Sequence, residues 1–159
     1  MTLKKYKKIA VGGTFDRFHQ GHVKLLETAF ELGEEVVIGV TSDSFACVKG
    51  NVESCKRRMY NLNRFLDEKH NSFHISRLDD SHGVIIYDSS FDAIVVSEET
   101  EPTAIEINKI RMEKNMDPVD VIVISFVFAD DGIPISSTRI RSGEIDREGH
   151  LLWRHRVNV

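Results

Sequence analysis

Gly12 and Gly13 end a short apolar run, and Thr14, Phe15, Asp16, Arg17, Phe18, His19, Gln20, Gly21 and His22 follow directly. Glycines at a strand end let the backbone turn sharply and let a phosphate approach the amides that follow. His19 and His22 stand three residues apart with Gly21 between them, a spacing that puts both imidazoles on one side of a helix N-terminus. That end of a helix favours anions. Two imidazole donors, the Thr14 hydroxyl and free helix amides would converge where a polyphosphate is held, and Gly21 leaves room for it. Phosphoryl or nucleotidyl transfer suits this geometry. The run is not a dinucleotide fingerprint, because Phe15 follows Thr14 where a G-x-G-x-x-G loop would continue.

Each feature has a plainer reading: the glycines for sterics alone, the histidines as helix caps, or the pair as zinc ligands. Zinc needs a third protein ligand, and neither Cys47 nor Cys55 has an obvious spacing to supply it. Those two cysteines, eight apart, read as buried or idle thiols. A second segment strengthens the phosphate reading. In Ile135-Ser136-Ser137-Thr138-Arg139-Ile140-Arg141, three hydroxyl residues precede two cations at the start of a short helix. Alone this is an ordinary N-cap. With the first segment it supplies a second anion-binding helix end.

The elements that must position these residues alternate in type. Lys8 to Val11 reads as a strand, Gly21 to Leu32 as a helix stopped by Gly33, and Glu35 to Thr41 as a second strand apolar on both faces. Lys56 to Lys69 is helical, with Met59, Leu62, Phe65 and Leu66 on one side and Lys56, Arg57, Arg58 and Arg64 elsewhere. Phe73 to Leu78 and Phe91 to Ser97 read as strands, Thr103 to Met116 as a helix, and Val119 to Phe128 as the strongest strand of all. Asp130 to Pro134 is a loop, and Ser136 to Arg141 opens a final helix. The alternation implies an α/β fold, a single Rossmann-like domain over 1–159 with a five-stranded parallel sheet flanked by helices. Ligands then sit beyond the carboxyl ends of the strands, where Gly12-Gly13, Thr41-Ser42, Ser97-Glu98 and the segment after Phe128 fall. The tail 147–159 is left free to pack, to bind a neighbour or to fray.

Gly-Gly-Thr-Phe-Asp at 12–16, His-x-Gly-His at 19–22 and Ile-Ser-Ser-Thr-x-Ile-Arg at 135–141 occur together and in order. The chain thereby resembles the HxGH nucleotidyltransferase superfamily. With Ser97-Glu98-Glu99-Thr100, Ile107-Asn108 and a charged helix, it is similar to the archaeal and eukaryotic-type phosphopantetheine adenylyltransferases over Lys8 to Asp146. The resemblance implies that Gly12, Gly13, Thr14, Phe15, His19, Gly21 and His22 surround the ATP phosphates. It implies that Ser136, Ser137 and Thr138 close on the β and γ phosphates, with Arg139 and Arg141 as further contacts. Lys49 would reach the transferred and acceptor phosphates, although Lys49-Gly50-Asn51 stands where relatives often have Lys-Pro-Tyr. Ser97, Glu98 and Glu99 would hold adenine and ribose.

The implied reaction moves AMP from ATP to 4'-phosphopantetheine, giving dephospho-coenzyme A and pyrophosphate. Its nucleophile is already an anion, so alignment and charge neutralisation suffice without a general base. Protonated or hydrogen-bonding His22 and His19, with Lys49, fit those roles. Mg²⁺ would ride on the ATP phosphates, with Asp16 as a helper at most and no cage of carboxylates. An adenylyltransferase for nicotinamide mononucleotide and a silent nucleotide sensor are the competing readings. The 159 residues carry 21 Lys plus Arg against 25 Asp plus Glu, a formal net charge of -4, which disfavours nucleic-acid binding. No apolar stretch has the roughly 20 residues that span a bilayer, so a cytoplasmic protein without a membrane partner is expected. No feature sets an oligomeric state, and a monomer is one option left open.

Overall fold

The computed structural model describes residues 4–46, 51–67 and 72–152. Lys49, Cys47, and the tail residues Trp153, Arg154 and His155 lie outside the described residues. Five parallel strands form one sheet in the order β3-β2-β1-β4-β5: β1 Tyr6–Gly13, β2 Gly33–Thr41, β3 Phe73–Leu78, β4 Ala93–Ser97 and β5 Asp120–Ile124. Between them run α1 Gln20–Leu32, α2 Asp43–Ala46, α3 Cys55–Asp67 and α4 Glu101–Glu113, with α5 Ser137–Arg141 after the last strand. A 3₁₀ turn at Gly83–Ile86, which the sequence reading omits, follows β3.

Strand periodicity splits the core into two layers. Ile9 and Val11 of β1, Val36, Ile38 and Val40 of β2, and Ala93 and Val95 of β4 pack with Leu25, Leu26, Ala29 and Phe30 of α1 and Leu62 and Leu66 of α3. The alternate residues Ala10, Val37, Ile94 and Val96 face the other way, onto Ile85, Ile86, Ala104 and Ile107. Every central strand is thus apolar on both faces, as helices on both sides require. A third, smaller cluster of Ala129, Ile135 and Ile145 supports α5.

The helix α1 ends at Leu32 with Gly33 as its C-cap, as the sequence reading has it, and Gly33, at φ −115°, passes directly into β2. Its small size matters there, since a Cβ would clash with Ile9 Cγ2. β5 ends at Ile124 rather than Phe128, because its only neighbour, β4, ends at the paired Ser97. The apolar residues beyond turn away from the sheet, and Phe128 bridges Pro134 in a small hairpin. Arg58 is also not on the polar side of its helix. It is fully buried at 0% exposure, and three converging carbonyls accept from it: Glu53 (2.7 Å), Thr14 (2.9 Å) and Thr41 (2.8 Å).

Candidate active site

β1 is the switch point of the sheet, since the chain crosses to β2 on one side and to β4 on the other. A cleft of about 550 Å³ opens there, within the size range of small-molecule sites. Gly12 to Asp16, His19, Gly21 and His22 form one wall, Ser97, Glu99 and Thr100 a second, and Ser136, Ser137, Thr138 and Arg141 a third. Sequence positions more than a hundred apart therefore meet across one opening.

His19 is the N-cap of α1. Its Nδ1 accepts from the Gly21 amide at 3.0 Å, while its own amide donates to His22 Nδ1 at 3.1 Å. Both Nδ1 atoms being acceptors, the ring protons belong on the Nε2 atoms. The rings stack at 3.8 Å between centroids. Burial is the main cause that lowers both pKa values, His19 to about 4 and His22 well below its ordinary value, with the charge of Arg147 adding to each. At neutral pH burial keeps both imidazoles uncharged, each with an Nε2–H to donate.

The free amides expected at this helix end are taken. Gln20 N donates to Arg147 O (3.2 Å), Gly21 N to His19 Nδ1, and His22 and Val23 N to His19 O (3.0 and 3.1 Å). The room at Gly21 goes to the His19 ring, whose Cε1 would lie 2.9 Å from an added Cβ. Thr14 remains an available donor, because its hydroxyl accepts from Thr41 at 3.2 Å and keeps its own proton.

The turn that presents these groups is strained and clamped. Phe15 and Arg17 adopt left-handed φ values of 54° and 47°, which cost a non-glycine residue energy unless surroundings enforce them. Asp16 enforces them. Its carboxylate, 2% exposed, accepts from the Glu53 amide (2.9 Å), Arg17 Nη1 (2.8 Å) and Arg141 Nη1 (2.6 Å), and its carbonyl accepts from the Ser137 hydroxyl (2.6 Å). Burial pushes this carboxyl up, but the Glu53 amide and the two guanidinia outweigh it and hold its pKa below the usual value. Asp16 is thus the joint between the first motif and α5.

Not every expected residue reaches the cleft. The Arg139 guanidinium pairs with Asp131 and, at 2.7 Å, with Glu144, and Arg139 does not line the opening. Glu98 is exposed and also outside the lining, whereas Ser97 and Glu99 are in it. Among the described residues, no group of three or more His, Cys, Asp or Glu side chains could hold a metal, and no helix is long and apolar enough to cross a membrane. The sequence reading missed Ile124 to Val127, which line the cleft because β5 ends early, and it missed Arg58 beneath the Thr14 turn. The strand-edge rule would have found the first had β5 been matched to the five residues of β4. Of the options left open for the tail, residues 147–152 take packing on the domain: the Arg147 carbonyl accepts from the Gln20 amide of α1, and Leu151 bridges Ile145.

A second cavity of about 220 Å³ lies on the opposite face of the sheet, between β1, β2, β4, α4 and the 3₁₀ turn. Its walls are largely apolar, with Leu78, Val84, Phe91, Val96 and Ile107, relieved by Ser76, His82 and Thr103. Gly12, Gly13, Thr14 and Thr100 line both cavities, so the two meet at the strained turn.

Residues 10–143 match the model of the cytidylyltransferase-like family. The chain is 56% identical to a phosphopantetheine adenylyltransferase of Methanothermobacter thermautotrophicus, over 96% of this chain and 94% of that protein. It is 43% identical to one of Pyrococcus furiosus, over 95% and 97%. Among solved structures, a protein of unknown function from Archaeoglobus fulgidus superposes with a TM-score of 0.70 at 32% identity, covering 74% of this chain and 88% of that one. By family model and by near full-length identity, the chain belongs to the cytidylyltransferase-like nucleotidyltransferases and, among them, to the phosphopantetheine adenylyltransferases.

Proposed function

We propose that the larger cleft takes ATP, that the apolar slot takes the arm of 4'-phosphopantetheine, and that AMP is transferred where they meet. The observation that carries this reading is the shared lining: an acceptor phosphate at Gly13 and Thr14 would face the α-phosphorus of a nucleotide in the cleft while its chain lay in the slot. An acceptor-phosphate oxygen forms a bond to the α-phosphorus, and the bond from that phosphorus to the bridging oxygen breaks to release pyrophosphate. The attacking oxygen is anionic, so no proton is removed. The Nε2–H groups of His19 and His22, the Thr14 hydroxyl and the hydroxyls of Ser136 and Thr138 donate to phosphate oxygens, with Lys49 from the loop outside the described residues.

Mg²⁺ fits as an ion carried by the triphosphate, since the oxygens of Asp16 are engaged by two arginines and an amide. When bound it would neutralise phosphate charge. An acceptor panel tests the assignment: kcat/KM for pyrophosphate release is expected to be at least about 100-fold higher with phosphopantetheine than with nicotinamide mononucleotide, because only the first fills the slot. Equal values would overturn the acceptor, and ATP binding without turnover on either would favour a sensor.

A further inference from the structure

Thr14 lines both cavities, and its hydroxyl helps a phosphate oxygen there only when its proton is directed outward. A threonine hydroxyl rotates, and it can donate or accept. Its direction here is set from beneath. Arg58, fully buried, donates through Nη1 to the Thr41 hydroxyl at 3.2 Å, and a guanidinium has no lone pair with which to accept. The Thr41 hydroxyl in turn donates its own hydrogen to the Thr14 hydroxyl, also at 3.2 Å. Among the described residues no acceptor takes the Thr14 hydrogen. The hydrogen bonds therefore run one way, from Arg58 to Thr41 to Thr14, and end where the cavities meet.

The chain is held rigidly at each step. Thr41 is the last residue of β2 and is buried. Its carbonyl and that of Thr14 both accept from Arg58 Nη1, at 2.8 and 2.9 Å, while Arg58 Nε donates to the Glu53 carbonyl at 2.7 Å. One guanidinium thus fixes the backbone of both threonines and the order of their hydroxyls. Because the chain begins at a cation, each hydroxyl polarises the next, and Thr14 becomes a stronger donor than an isolated hydroxyl.

We propose that Thr41 and Arg58 are positioning residues for the transfer, acting through Thr14 by fixing it as a donor to the phosphate held at the junction. This role rests on the reading that the cleft and the slot take the two substrates. Neither residue belongs to the motifs at 12–22 and 135–141.

Arg58 variants would strip three carbonyls at once, so the test is made at Thr41, by initial rates of pyrophosphate release from ATP with phosphopantetheine. Thr41→Val is expected to lower kcat about tenfold with KM for ATP within about twofold, and Thr41→Ser to recover most of the loss. Thr41→Ala, which removes the hydroxyl without placing a methyl against Arg58, should behave as Thr41→Val does. Thr14→Val is expected to lower kcat at least as much, and adding Thr41→Val to it should change kcat by less than about twofold, because the chain then has no end. Unchanged kcat in both Thr41→Val and Thr41→Ala, or a Thr41→Val loss that persists in full beside Thr14→Val, would overturn the relay and leave the two-cavity reading standing. Full activity in Thr14→Val would overturn the phosphate role of Thr14 and the relay with it. Wild-type protein without turnover would overturn the proposed reaction itself.

Discussion

Each imidazole of the His19–His22 pair gives its Nδ1 to a backbone amide, so protonating either ring costs a helix-capping bond as well as burial of charge. Folded pKa values below the unfolded value of about 6.5 mean that the unfolded chain binds more protons in this range. The stability they contribute is complete above pH 6.5 and falls as pH drops toward 4. Urea unfolding across that window is expected to show the decline in wild type and a shallower one in His19→Asn. In His22→Ala, kcat is expected to fall about 100-fold with KM for ATP changed less than threefold, as for loss of a donor used in the transition state. Equal losses in kcat and in ATP affinity would contradict that role. The pair itself was legible in the sequence, because spacing alone puts both rings at one helix end. Their protonation was not, since it depends on burial and on Arg147, a residue 125 positions from His22.

At the scale of elements, α5 is too short to hold itself, and its seat is Asp16. Asp16→Asn keeps the shape but gives up the charge that binds Arg17 and Arg141, and is expected to cost about 3 kcal/mol at pH 7 by chemical denaturation. Because the folded Asp16 carboxyl sits below its ordinary pKa, that difference should be present at neutral pH and shrink as pH falls below about 4. Gly21→Ala acts on the same scale. Its methyl would meet the His19 ring, displace the cap and reduce kcat at least about tenfold, as steady-state kinetics would report. Strand and helix order could be read from apolar periodicity, but the end of β5 could not, because a strand lasts only as long as its neighbour and Val-Ile-Val-Ile-Ser-Phe-Val-Phe gives no sign of it. Arg58 was misplaced for a related reason: a buried cation looks like a surface one until the carbonyls of Thr14, Thr41 and Glu53 converge on it. Arg58→Met, which orphans those carbonyls, should destabilise by about 3 kcal/mol.

Across the whole molecule, the parallel sheet does two jobs from one position. The crossover at β1 opens the larger cleft, and the face under α4 leaves an apolar slot that ends at the same glycines. A net charge of -4 gives no general attraction for two anionic substrates, so local donors must supply it. Narrowing the slot should separate the substrates: Ala104→Leu is expected to raise KM for phosphopantetheine at least about tenfold while KM for ATP stays within twofold, in initial-rate assays. The measurement that tests the central claim most directly follows the label from ATP marked at its α-phosphate, incubated with phosphopantetheine. The expected result is label in dephospho-coenzyme A with one pyrophosphate released per transfer and none without acceptor; label recovered only in ATP, ADP or free AMP would contradict it.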